Sequence, residues 1–197
     1  MRRTGLWRNS DFVHLWGAAT VSTYGTLVTR TALPFAAILL LDASAADISL
    51  LVITELLPGF LLGLVAGAWV DRVHRRPIMI ATDLARGLLL LTIPLAALAG
   101  VLGLGHLYLV AALISALSVF FDVAYQSYLP SIVRNDELIE ANSKVSAAGS
   151  VAEAAAFSSG GWLVQLLSAP LAVLVDAATF VVSAALSLVL YLVRRFF

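Results

Sequence analysis

Three ionisable residues, Arg30, Glu55 and Glu153, stand well inside long apolar runs of this 197-residue chain. A charged arginine at the centre of a bilayer costs about 2.5–3.5 kcal/mol on insertion scales, so it should face a partner or water. A carboxylate in such surroundings can exchange a proton, and a guanidinium can hold an acid. The three form a candidate substrate or proton site, with Glu153 the first choice as partner of Arg30 and Glu55 the second. A structural ion pair that ties helices together accounts for the same residues. Asp83 and Arg86, three apart on one helical face, read as a structural pair, and Asp176 reads as structural too.

A second group of charge fills "GLVAGAWVDRVHRRP", between two apolar runs. Asp71 and Arg75 are spaced i,i+4 and fall on one side of a continuing helix. Asp122 arrives at about the same depth from another run, and Gly63 and Gly67 would let a neighbouring helix approach closely. Such an Asp–Arg–Asp cluster could pin two helices together. The simpler alternative is that Arg72, Arg75 and Arg76 only anchor the loop on the positive side of the membrane.

Other chemistry is poorly supplied. The chain has no cysteine, and its three histidines, His14, His74 and His106, sit near the ends of apolar runs. They are badly placed to activate a buried serine or to share a metal ion. No Gly-x-x-x-x-Gly-Lys loop is present to cradle a phosphate, and Gly149, Gly160 and Gly161 read as small packing residues. No enzyme activity, cofactor or metal is expected. A net charge of zero argues against nucleic acid as a partner.

The elements that carry these groups follow from composition. Hydrophobic residues make up 61% of the chain and charged residues 12%, against about 25% charged in soluble domains, and the mean hydropathy is +0.98. Lipid must be the solvent. A bilayer crossing takes about 20 apolar residues, which gives about six spans, at roughly 14–41, 48–70, 77–99, 106–128, 144–167 and 170–193. The stretch "PSIVRNDELIEANSK" between spans 4 and 5 reads as a surface helix, with Leu138, Ile139 and Ala141 on the membrane and Asp136, Glu137 and Glu140 towards water. Lys and Arg gather at one set of ends (Arg2, Arg3, Arg8, Arg72, Arg75, Arg76, Arg134, Lys144, Arg194, Arg195) and are missing from the other. Both termini are therefore expected in the cytoplasm. Trp7, Trp16, Trp69, Trp162 and Tyr108 suit an interfacial belt. Pro34 and Pro94 would kink their spans, and Gly25 with Pro34 could make span 1 a flexible gating helix.

Gly67, Trp69, Pro77 and Asp83 recur as Gly160, Trp162, Pro170 and Asp176 at a constant displacement. The first set lies around an inner turn and the second around an outer one, as a three-span unit repeated with inverted topology would place them. The fold class expected is thus an all-α membrane protein, six transmembrane helices in a 3+3 inverted repeat. Residues 1–197 then make one six-helix bundle.

These residues also resemble a family. "GLVAGAWVDRVHRRP" is similar to the loop motif of the major facilitator superfamily, Gly-x-x-x-Asp-Arg-x-Gly-Arg-Arg, with His74 in place of its later glycine. The likeness continues through "ATDLARG", "FFDVAYQSYLP", "ELIEANSKVSAAGSVAE" and "GWLVQLLSAPLAVLVDAATFVVSA", and looks most like the drug- and siderophore-exporter branch. Ala156-Phe157 stands where drug antiporters usually have Gly-Pro, and Gly25-Thr26 where Gly-Asp is common. The resemblance implies the amino-terminal half of a fold of about twelve spans. It implies a conformational latch at Gly67, Asp71, Arg72, Arg75, Arg76 and Asp122, with Arg75 pairing with Asp122. The function implied is proton-coupled efflux of a hydrophobic or amphipathic small molecule across the cell membrane. A second six-helix half, in the same chain or another copy, would complete the cavity. The alternative is a truncated, non-transporting membrane module or partner subunit.

Overall fold

The computed structural model describes residues 5–70, 72–167, 171, 173–174 and 176–184, and every long element among them is a helix. Helix α1 spans Ser10–Leu41, α2 Ala45–Val70, α3 Arg75–Leu98, α4 Leu104–Ile132 and α5 Leu138–Leu167. Residues 176–184 are helical as well. The 32 residues of α1 reach about 48 Å, more than the roughly 30 Å hydrocarbon core of a bilayer.

Local chemistry sets the ends. Asn9 caps α1, its side-chain oxygen accepting from the amides of Asp11 and Phe12 at 3.1 and 3.3 Å, which satisfies two of the first-turn donors. Asp42 ends the same helix in the left-handed region, at φ 48°. Two residues on, Ser44 and Asp47 exchange hydrogen bonds, Ser44 N to Asp47 Oδ2 at 2.9 Å and Asp47 N to Ser44 Oγ at 3.3 Å. That reciprocal pair starts α2 as a capping box does. Pro77 sits in the first turn of α3, where a missing N–H costs little.

α2 packs along α4, α3 along α4, and α1 along α5. Two apolar clusters result. One gathers Leu33, Leu90, Ile93, Leu107 and Phe180; the other gathers Leu6, Phe12, Val70, Ile78, Phe121 and Ala141 around the basic loop. Between them runs a buried polar layer of Ser22, Thr29, Asp83, Arg86, Asp176 and Ser183.

Among the described residues four helices are long and apolar enough to cross a membrane: Ser10–Leu41, Ala45–Gly63, Arg75–Leu98 and Leu104–Ile132. α5 has the length, but Glu140, Lys144, Glu153 and several serines dilute its hydropathy. The sixth expected span falls partly outside the described residues, so the six-helix inverted repeat remains an expectation.

The surface helix between spans 4 and 5 does not form. α4 runs on to Ile132, a single turn of 3-10 helix covers Asn135–Glu137, and α5 begins at Leu138. Ala141 is fully buried, so that segment is the first turn of α5 docked on the inner cluster. Tertiary bonds decide the matter: the Asn9 amide donates to the Ile132 carbonyl at 2.7 Å, and the Trp16 indole to the Lys144 carbonyl at 3.1 Å. The Trp7 and Trp16 rings meet edge to face, and Lys144 lies over Trp7. These two tryptophans fasten α1 to α5, a closer role than the interfacial belt expected of them.

Candidate functional site

At the basic loop Arg76 reaches two other helices. It donates through Nε to the Tyr128 hydroxyl, lies 4.8 Å over that ring, and places Nη2 3.8 Å from Asp11 Oδ2. Asp11 comes from the first turn of α1 and Tyr128 from the end of α4, so one side chain of α3 joins three helices. Arg72, His74, Arg75 and Arg76 surround a hollow of about 570 Å³ together with Tyr128 and Ser131. Asp71 lies outside the described residues. Neither Asp11 nor Tyr128 was singled out from the sequence, although an acid in a first helical turn on the basic side of the membrane is a natural partner for a loop arginine.

Asp122 sits elsewhere. It precedes Tyr128 by six residues, about 9 Å of helical rise, and the charge that acts on it is Arg86 of α3. The expected approach of a helix at Gly63 and Gly67 is likewise not seen among the described residues, for a Cβ at either would meet open space.

The mid-membrane groups converge on a chamber of about 280 Å³. Arg30 Nε lies 3.8 Å from Glu55 Oε2, with the arginine side chain 55% exposed and the acid 17%. Glu55 is thus the residue that meets Arg30, and Ser115 of α4 donates to its carbonyl to hold α2 in place. Glu153 is exposed on α5 and has no ion pair within 4 Å among the described residues. It continues the α5 face of Asn142, Ser146 and Gly149, which with Trp16, Asp122 and Tyr125 lines a larger cavity of about 510 Å³. Thr23, Phe121 and Asp122 border both spaces.

The chamber floor is the group the sequence made merely structural. Arg86 is 2% exposed, donates to Asp83 Oδ1 and to Ser118 Oγ, and lies between the rings of Phe121 and Phe180 at 4.5 and 4.3 Å. The far oxygen of Asp83 accepts from Ser183 at 2.5 Å. Asp176, fully buried, also lies in the field of Arg86. Three carboxyl groups, from α3, α4 and the 176–184 helix, therefore share the field of one guanidinium, and Asp83 is the one in contact with it. The repeat offered a signal for this, since Asp83 and Asp176 are equivalent positions in it.

Outside the chamber, His106 and His14 are held by local partners, Thr92 Oγ1 at 2.8 Å and the Ser10 carbonyl at 2.7 Å. Among the described residues no group of three His, Asp or Glu is placed to hold a metal ion.

Residues 15–196 match the profile of the Major Facilitator Superfamily. No curated protein and no solved structure matches the chain.

Proposed function

Since the chain belongs to the Major Facilitator Superfamily, and so to a family of multi-pass membrane transporters, we propose that it drives proton-coupled efflux of a hydrophobic or amphipathic small molecule, as members of the exporter branch do. The observation that carries this reading is the polar chamber that joins Arg30–Glu55 to the Arg86 cluster inside apolar helices. Buried charge of this kind marks substrate and ion pathways. The adjoining cavity adds an aromatic wall and an exposed carboxylate, Asp122. The Tyr125 hydroxyl lines it without a hydrogen-bond partner among the described residues.

In this reading Arg30, Glu55 and Glu153 handle substrate or protons, and the arginines of the loop with Asp71 govern the change of state. Arg76 supports a part of that, because it already ties α1, α3 and α4 together. The face of α2 at Gly63 and Gly67, where a Cβ would meet open space, and the exposed face of α5 at Glu153 are where a second six-helix half would pack. The bundle spans the cell membrane with both termini in the cytoplasm, on the strength of the one-sided Lys and Arg. Single cysteines at His74 and at Gly103 should accordingly react with an impermeant maleimide from opposite sides; reaction of both from one side would reverse that assignment.

The activity is tested with the full chain in liposomes, using ethidium as the amphipathic probe. Vesicles made acid inside should accumulate the dye as protons leave, and Glu55→Gln should abolish the accumulation. Folded protein that moves no ethidium under any pH gradient would leave the chain a non-transporting partner subunit. Full accumulation by Glu55→Gln would take Glu55 out of the coupling step.

A further inference from the structure

The Arg86 cluster is out of electrical balance. Arg30 and Glu55 neutralise each other at 3.8 Å, but Arg86 has Asp83, Asp122 and Asp176 around it. Were all three acids ionised, two negative charges would stand in excess at the level of the hydrocarbon. Such an excess is costly unless it is neutralised.

The hydrogen bonds say which acid differs from the others. Asp83 has a donor on each oxygen, Arg86 on one and Ser183 on the other, as an ionised carboxylate requires. Asp122 is exposed where the two cavities meet, so water reaches it. Asp176 is 0% exposed. Its Oδ1 accepts from Thr179 at 3.1 Å, while Oδ2 and the hydroxyl of Thr29, close enough to act on this carboxyl, make no hydrogen bond of good geometry among the described residues. Both residues line the chamber.

We propose that Asp176 is a proton-binding site of the chamber: it holds a proton on Oδ2 while α1 lies against the 176–184 helix, and exchanges that proton with chamber water when the two separate. This rests on the proton-coupled reading of the same chamber and adds to Glu55 a second proton site, at an acid that reading did not use. A proton fits better than a metal ion, because an alkali cation needs more oxygen ligands than the two unpartnered atoms supply. The charged groups facing the chamber are Arg30 from α1, Glu55 from α2, Asp83 and Arg86 from α3, and Asp122 from α4; α5 presents none on its wall. The link to movement is Gly25. A Cβ there would overlap Asp176 and Thr179, so α1 rests directly on the neutral acid. An ionised Asp176 needs further donors, and the close approach of α1 at Gly25 leaves no room for one beside Oδ1.

The chain has no cysteine of its own, so Thr26→Cys, on the half-buried chamber wall, gives a clean probe. The rate of its reaction with N-ethylmaleimide, corrected for thiolate fraction with a free thiol, is measured against pH in the full chain in detergent. Below the midpoint it should rise about tenfold per pH unit, the slope of one proton. Asp176→Asn in the same background should flatten the profile, and Asp122→Asn and Glu55→Gln should keep the slope. If Asp176→Asn does not fold, Thr29→Val takes its place and should move the midpoint, since it removes the neighbouring hydroxyl. A flat profile in the Thr26→Cys chain, or a profile untouched by both Asp176→Asn and Thr29→Val, overturns the proposal. So does a rate set at constant pH by replacing choline chloride with sodium chloride, which would make the site one for sodium. The measurement needs no flux, so a chain that moves no ethidium yet shows the Asp176-dependent profile would fail as a transporter and keep its proton site.

Discussion

Arg86→Met is expected to destabilise the protein by about 3–5 kcal/mol, the cost of removing one partner from a buried ion pair, and to do so by more than Asp83→Asn. The asymmetry follows from the count of charges. Without Asp83 the guanidinium still has Asp122 and Asp176 within its field and Ser118 at 3.1 Å. Without Arg86 the ionised Asp83 and Asp122 lose their common counter-charge, and Asp83 keeps only its bond from Ser183. The Met variant also loses the cation that lies between the rings of Phe121 and Phe180. Thermal unfolding of the purified chain and both variants in one detergent gives the comparison, and the Met variant should recover part of its loss in acidic buffer as protons remove the uncompensated charge. Equal losses for the two single changes would mean that Asp122 contributes nothing to holding Arg86.

That cluster also marks where sequence reading stopped. Hydropathy located α1 to α4 within a few residues, because it is a local property. The start of α5 was not local: it depends on Asn9 reaching the Ile132 carbonyl and Trp16 reaching that of Lys144, across more than a hundred positions. The partner of Arg30 depends on how α2 is rotated about its own axis, and a count of depth along each span is blind to rotation. Glu153 was favoured on depth, while Glu55 is the acid turned towards Arg30. The same blindness paired Asp122 with the loop, when its face of α4 looks towards Arg86. Asp83 and Arg86 were legible as a pair from their spacing alone. Their third and fourth partners, Ser183 and Ser118, come from other helices and carry no signal in spacing.

Gly25→Ala should destabilise the fold by about 1–3 kcal/mol, the range for forcing extra carbon into a packed site, and Gly17→Ala should not. Both glycines lie within α1, so both substitutions gain the same helix propensity, about 0.8–1 kcal/mol. They differ in surroundings: a Cβ at Gly17 meets nothing within 4 Å, whereas one at Gly25 would overlap the side chains of Thr179 and Asp176. Thr179 is held by its own bonds to Asp176, and Asp176 is enclosed, so neither can swing aside without breaking the buried layer. Gly17→Ala is therefore expected to raise the unfolding temperature and Gly25→Ala to lower it, which makes each the control for the other. The sequence suggested that Gly25 lends α1 flexibility; the packing instead makes it the place where α1 seats against the 176–184 helix. If the two variants rise together, α1 does not press on Asp176, and the acid would have room for water without any movement of the helix.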